Sequence, residues 1–296
     1  MTTLLDTVRR YAEATADHNG IASTPIPGLL AVRATAPSGI VHAVSRPMVC
    51  LVLQGAKRVT MGPNSFDFGA GDSLLITADV PIVSQITRAS RVAPYLSLVM
   101  ELDYAVIADL SAEMKAAAAI DPAPVRVDPT DAEVADAALR LMRLLDRPAS
   151  LPVLQAQLVR ELHYWLLAGR LGPAMRRLAA PDGPAQRVGR AVALLRQEFT
   201  RALPVERLAA EAGMSPSSFH QHFRSVTSLS PLQFQKQLRL IEARRLMLAE
   251  GAGASHAAFA VGYESVPQFT REYGRLFGLP PVRETAAARG QVQVPA

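Results

Sequence analysis

A single cysteine, Cys50, occurs among 296 residues. No intrachain disulfide and no cysteine cluster can form, which fits a reducing cytoplasm. No run of some 18 apolar residues is present, so a membrane-spanning helix is not expected. The first residues, MTTLLDTVRRYAEATADHNG, mix acidic and basic side chains and lack an apolar core segment, unlike a signal peptide. His42 is followed by no other histidine until His163. A three-nitrogen metal site is therefore not expected, and no cofactor is called for. The GAGD stretch at Gly69–Asp72 is followed by no Lys-Ser/Thr pair, so it reads as a tight turn rather than a phosphate loop.

What is present points to two parts. Apolar residues make up 49% of the chain, enough for two separate cores. The formal charge of +5 is unevenly placed. Residues 185–296 hold 14 basic and 8 acidic side chains, against 17 and 18 in the first 184. A near-neutral front joined to a basic back is the footprint of a sensor attached to a polyanion binder.

The front opens with an amphipathic helix over residues 1–19. Between about Leu29 and Asp103 the pattern is β: PMVCLVLQG, KRVTMG, SFDFGAGDSLLITA, VPIVSQITRA and PYLSLVMELD are short β-rich runs broken by Gly, Pro and Asn. Strands at about ten-residue spacing suggest a small barrel or sandwich. From Tyr104 onward the pattern reads as helical. Thr130 and Glu133 form a candidate capping box ahead of one helix. A second, LPVLQAQLVRELHYWLLAGRL, follows closely, so the two are expected to pair antiparallel and offer an outer face for a homodimer. AAPDGPA, Ala179–Ala185, is the candidate linker. The expected domains are 1–180 and 186–290, with helices to about Glu284 and a mobile tail, AAARGQVQVPA.

The back carries a helix-turn-helix pattern twice. In VERLAAEAGMSPSSFHQHFRS, Gly213 ends one helix and Ser215 caps the next. In SHAAFAVGYESVPQFTREYGRLFG, Gly262 and Ser265 take the same places. Four residues before each glycine stands a small residue, Ala209 and Ala258. Aromatics follow each cap at four and eight residues: Phe219 and Phe223, then Phe269 and Tyr273. These pack inward, which turns Ser217, His220, Gln221 and Arg224 outward on the first helix and Val266, Gln268, Thr270, Arg271 and Arg275 outward on the second. Ser230 can cap a continuous spacer of about 18 residues, ~27 Å long. Such a rod would hold two reader helices about one DNA turn, ~34 Å, apart.

The second unit, A-x-x-VGYES-x-x-QF-x-REY-x-RLFG-x-PP, makes Gln186–Glu284 resemble the DNA-binding domain of the AraC/XylS transcription regulators. CLVLQGAKRV, GAGDSLLITADVPIVSQITRAS and PYLSLVMELD make the front similar to the AraC-type N-terminal domain of a regulator subgroup. The resemblance implies an α+β chain: an N-terminal cupin-like β-barrel with a helical dimerisation segment, then an all-α domain with two helix-turn-helix motifs. It also implies that positions matching Ser217, His220, Gln221, Gln268 and Arg271 face base edges. Arg224 and Arg275 fall to phosphate. The implied partners are double-stranded promoter DNA, an unidentified small-molecule effector, a second copy of the chain and RNA polymerase, with no membrane.

Other readings remain for single residues. Arg244 and Arg245 on the spacer fit the protein's own acidic groups better than phosphate. His256 reads as a packing or surface residue, and Asp67, Asp72 and Asp79 as turn residues. Met48, Leu51, Leu53 and Met100 are candidate barrel-lining residues suited to a small, largely apolar or carbonyl compound. Lys57 and Arg58 are candidate cations for an anionic effector, or else a charged hairpin edge. Cys50 beside them is a candidate sensor of electrophiles, with an inert core thiol as the alternative. A cupin-type enzyme and a barrel that only dimerises are the rival functions.

Overall fold

The computed structural model describes residues 2–114, 124–179 and 183–292. The chain divides into two compact units. One holds Met1–Val41 and Ser45–Gln186, and the other holds Arg187–Ala296 with His42–Val44.

The first unit opens on α1 (Leu4–Thr15), where Thr3 and Asp6 form a capping box. Then come β1 (Ile21–Ser23), β2 (Leu29–Ala34), β3 (Val41–Ser45), β4 (Met48–Gln54), β5 (Ala56–Met61), β6 (Asn64–Gly69), β7 (Asp72–Ile76), β8 (Val80–Arg88) and β9 (Tyr95–Glu101). The helix α2 (Tyr104–Glu113) precedes β10 (Val125–Pro129), and α3 (Ala132–Leu144), α4 (Leu151–Ala168) and α5 (Gly172–Ala179) complete the unit. The ladders form two sheets, β1-β2-β9-β4-β7-β10 and β3-β8-β5-β6. Among the described residues the ladders do not join into one closed barrel. A register shift between Val52 and Gln54 bends β4 just before the chain leaves the larger sheet for the smaller.

β10 corrects the reading of everything beyond Tyr104 as helical. Its five residues pair antiparallel with β7, from Val125 opposite Ile76 to Pro129 opposite Asp72. A proline is tolerated there because β10 is an edge strand. Thr130 is not a cap: its hydroxyl meets the Ser73 hydroxyl at 2.6 Å. Asp131 takes the N-cap position, and its carboxylate instead accepts from the Arg170 backbone N–H and guanidinium. That contact joins the start of α3 to the end of α4, and Arg140, later in α3, pairs with Glu161, earlier in α4. Pairs converging in opposite sequence directions make α3 and α4 antiparallel, as their short connection implied.

Alternation sorts the larger sheet into two faces. Val49, Leu51, Leu96, Leu98 and Met100 point into a core shared with Val8 of α1, Leu141 of α3 and Leu162 and Leu166 of α4. Leu53 packs on the same core. Cys50, opposite Leu74 and Val99, lies on the other face with Tyr95. Leu51, Leu53 and Met100 therefore do not share a chamber with Met48.

His163 is fully buried in α4. Its Nε2 accepts from the Asp103 backbone N–H at 3.1 Å, while Nδ1 lies 2.8 Å from the Val159 carbonyl. Both contacts are satisfied by one neutral tautomer. Burial lowers its pKa below the ordinary 6.5, and the Val159 and Asp103 contacts only partly oppose this. The unfolded chain thus binds the proton more readily than the folded one. Stability from this group is complete above the ordinary pKa and is lost as pH falls through the window below it. Wild type is expected to melt at a lower temperature on acidification from pH 7 to 5. The drop should be smaller in His163→Gln, which thermal denaturation at several pH values would show.

From Arg187 on, the second unit is helical: α6 (Pro184–Glu198), α7 (Val205–Glu211), α8 (Pro216–Thr227), α9 (Pro231–Ala249), α10 (Ala254–Ala260), α11 (Val266–Phe277) and α12 (Pro281–Val292). α12 runs past Glu284 into the segment expected to be a mobile tail; residues 293–296 of that tail lie outside the described residues. Part of the expected linker, 180–182, also lies outside them.

Candidate nucleic-acid interface

Each helix-turn-helix unit is built from the same local devices. Gly213 and Gly262 both take left-handed backbone, with φ of 60° and 87°. Ser215 accepts from the Ser218 N–H, and Ser265 from the Gln268 N–H, both at 3.4 Å. Pro216 and Pro267 stand in the first turns, where a missing N–H costs nothing. Ala209 and Ala258 are buried beneath the turns. Phe219, Phe223, Phe269 and Tyr273 are all fully buried. Two small cores result, one around Phe219, Phe223 and Phe234, the other around Phe269, Tyr273 and Met247.

α9 connects them. Ser230 and Gln233 form its capping box, and its 19 residues run unbroken for about 28 Å. Gln235 and Arg239 of α9 hold the turn after α6. Gln235 donates to the Phe199 and Arg201 carbonyls, and Arg239 to those two and to the Gly262 carbonyl. One arginine thereby ties the turn of the second helix-turn-helix motif to the entry of the first motif. Sequence reading missed this clamp, because carbonyl acceptors leave no trace in residue identity.

The outward stripes follow from this packing. Ser217, His220, Gln221 and Arg224 are all exposed on α8 at helical spacing. On α11, Gln268, Arg271 and Arg275 are exposed on one face. Thr270 and Val266 are half-buried. Thr270 lies about 200° around the helix from Gln268 and so stands apart from that stripe. The guanidinium groups of Arg224, Arg271 and Arg275 make no hydrogen bond or ion pair with a described residue.

Other arginines of the unit are spent on structure. Arg244 binds Glu284 at 2.8 and 3.0 Å. Arg245 pairs with Glu242 and Glu250. Arg207 pairs with Glu198. Arg187 and Arg190 donate to the carbonyls of Ala212 and Glu211. The spacer arginines thus serve the protein's own acidic groups. His256 is exposed at the surface. Arg224→Ala is expected to weaken binding to all DNA sequences alike and to flatten the salt dependence by about one charge. Titrations at several salt concentrations would check this.

A polar cluster sits behind the second stripe. Glu272 accepts from Lys236 Nζ at 2.7 Å, from Tyr263 OH at 2.8 Å and from Gln268 Nε2 at 3.2 Å. Burial alone would raise its carboxyl; these hydrogen bonds outweigh burial and hold it below the ordinary carboxylate range. Tyr263 is pushed up by burial and by the same carboxylate. A cleft of about 440 Å³ runs along this cluster, walled by Leu203, Lys236, Arg239, Tyr263 and Gln268. Of the cluster, only the four-residue spacing of Gln268 and Glu272 was visible in sequence.

In the first unit, the candidate effector residues separate. Lys57 is in register with buried Phe68 and Ile86, whereas Arg58 is in register with Asp67. The two cations therefore point to opposite faces of β5. Arg58 is exposed and bidentate to Asp67 at 2.7 and 3.0 Å, so Asp67 is a strand residue and not a turn residue. Asp72 does serve a turn, accepting from the Gly69 N–H. Cys50 is 2% exposed, and its sulfur lies 4.0 Å from the Tyr95 hydroxyl. Burial pushes the Tyr95 phenol up, and Cys50 adds to the effect. Met48 is half-buried on the same face as Cys50. Among the described residues no group of three His, Cys, Asp or Glu is arranged to hold a metal, and no helix is long and apolar enough to cross a membrane.

Two helix-turn-helix units on one spacer helix, preceded by a two-sheet unit, define a bipartite helix-turn-helix architecture. Residues 25–174 match the family described as AraC-type transcriptional regulator N-terminus, and residues 208–285 match a helix-turn-helix domain family. The chain belongs to the AraC-type transcriptional regulators, a family of regulators rather than enzymes. It is similar to the HTH-type transcriptional activator RhaS of Escherichia fergusonii, at 28% identity over 104 residues, 35% of this chain and 37% of that protein. It is also similar to the RCS-specific HTH-type transcriptional activator RclR of Escherichia coli K12, at 35% identity over 95 residues, 32% of this chain and 34% of that protein. These matches span about a third of the relatives' length. Among solved structures, ToxT from Vibrio cholerae O395 bound to (E)-4-(8-methylnaphthalen-1-yl)but-3-enoic acid aligns with a TM-score of 0.57 and 10% identity, covering 87% of this chain and 97% of that one. That likeness is one of fold.

Proposed function

We propose that this protein is a sequence-specific regulator that binds promoter DNA through both helix-turn-helix units. The observation that carries the reading is the pair of exposed stripes, each presenting uncommitted arginine beside amide or imidazole groups. Gln and Arg have the forked groups that read adenine and guanine edges. Ser217, His220, Gln221, Gln268 and Arg271 face the bases and Arg224 and Arg275 the phosphates, while Thr270, turned away from the second stripe, is left out. Its cellular place is the cytoplasm, and RNA polymerase is the partner through which it acts. Full-length protein is expected to retard promoter fragments of its own genome in preference to shuffled DNA of equal length. Equal retardation of both would refute the reading.

The first unit supplies assembly and sensing. Val153 and Leu154 near the start of α4 and Tyr164 near its end are exposed apolar side chains on the outer side of the α3–α4 pair. In this reading a second copy covers that outer side. Full-length protein is expected to sediment as a dimer at micromolar concentration, and Leu154→Glu as a monomer. A monomeric wild type would contradict this. In this reading the effector contacts the face carrying Met48, Cys50 and Tyr95, with Lys57 on the buried face of β5 as its nearer cation; Arg58, paired with Asp67, lies on the other face of that strand. The buried Cys50 acts as a wall of that site, and the favoured ligand is small and largely apolar.

A further inference from the structure

Gln268 sits in the first turn of α11, exposed on the stripe it shares with Arg271 and Arg275. One turn later, Glu272 is mostly buried, its side chain 17% exposed. Lys236 and Tyr263 fix the Glu272 carboxylate from α9 and from the turn before α11. Gln268 Nε2 donates to that carboxylate at 3.2 Å. A carboxylate only accepts, so the amide can face it with its nitrogen alone. The half-rotation that would exchange the amide oxygen and nitrogen is therefore closed. Oε1 and the second N–H of Gln268 remain for an outside partner.

In the major groove, adenine offers a donor at N6 next to an acceptor at N7. Guanine offers two acceptors, thymine an acceptor and a methyl group, and cytosine a donor only. We infer that Glu272 is a specificity-determining positioning residue: it locks the Gln268 amide in one orientation, so that the second reader helix selects adenine at one operator position. This rests on the DNA-binding reading above. Glu272 touches no base; it acts through Gln268. Lys236 and Tyr263 act one step further back, by holding the carboxylate still.

The test is selection of randomised duplexes with full-length protein, followed by sequencing, for wild type, Gln268→Ala and Glu272→Gln. A glutamine at 272 can donate as well as accept, so it no longer dictates which way the Gln268 amide faces. Wild type is expected to enrich adenine at one position. Gln268→Ala should abolish that preference, and Glu272→Gln should reduce it on the order of ten-fold while the rest of the motif stays sharp. Base preference at a single position is a readout that a purely structural role would not move. If Glu272→Gln keeps the adenine preference, or if the position lost in Gln268→Ala is guanine or thymine, the inference is overturned while the DNA-binding reading stands. If wild type selects no motif, both fall. Should Glu272→Gln not fold, the wild-type protein still decides the matter. A duplex with unsubstituted purine in place of that adenine lacks the exocyclic donor and is expected to bind on the order of ten-fold more weakly. Equal binding overturns the inference.

Discussion

Gly262→Ala is expected to destabilise the C-terminal unit by about 3 kcal/mol, against about 1 kcal/mol for Gly213→Ala. The two glycines hold equivalent turns, and both have positive φ. Their surroundings differ. A Cβ on Gly262 would fall 2.0 Å from the Thr200 carbonyl oxygen. A Cβ on Gly213 would meet only the ends of Arg187 and Arg190, at 3.5 and 3.9 Å. Those are flexible side chains at ordinary contact distance, so only the backbone strain remains. The Thr200 carbonyl cannot retreat, because its neighbours Phe199 and Arg201 are clamped by Gln235 and Arg239. Denaturant unfolding of the two variants would measure the difference. Equal losses would show that the second turn does not press on the entry to the first helix-turn-helix motif.

Arg271→Ala is expected to lose about 1–3 kcal/mol of affinity on the selected site and to relax specificity at one base pair. Its guanidinium is exposed at the middle of α11 and is free of ion pairs with described residues, so the wild-type side chain need break nothing to reach a guanine edge. The substitution removes no packing, so the melting temperature should stay near that of wild type. This separates it from Gly262→Ala, which should weaken DNA binding only through loss of the folded unit. Wild-type affinity and specificity in Arg271→Ala would remove α11 from the interface.

The helix-turn-helix units were legible because their determinants are local. Ser215, Ser265 and Ser230 cap within three residues, Gly213 and Gly262 supply the turns, and the aromatics recur at helical spacing. The strands β4 to β9 were legible from alternation and from glycine at the turns. β10 was not, since five residues ending in proline carry too little pattern to outweigh the helices around them. The capping box at Thr130 failed because Ser73, 57 residues away, competes for its hydroxyl. Long-range partners also decide how the candidate effector residues are arranged. Lys57 and Arg58 are adjacent in sequence, yet the pleat sends them to opposite faces, and Asp67 across the hairpin claims Arg58. Met48 and Leu51 part for the same reason. Within the reader helices, residue identity gave the outward stripes. The orientation of Gln268 depends on Glu272, Lys236 and Tyr263 meeting in three dimensions.

Hydroxyl-radical footprinting of the full-length protein on its selected duplex tests the central claim most directly. A spacer helix of about 28 Å between two capped reader helices should give two protected windows about one helical turn, ~10 base pairs, apart on the same face of the duplex. Arg271→Ala should weaken one window, and a substitution at His220 and Gln221 together should weaken the other. A single window, or two on opposite faces of the duplex, would contradict a molecule that reads DNA with both units at once.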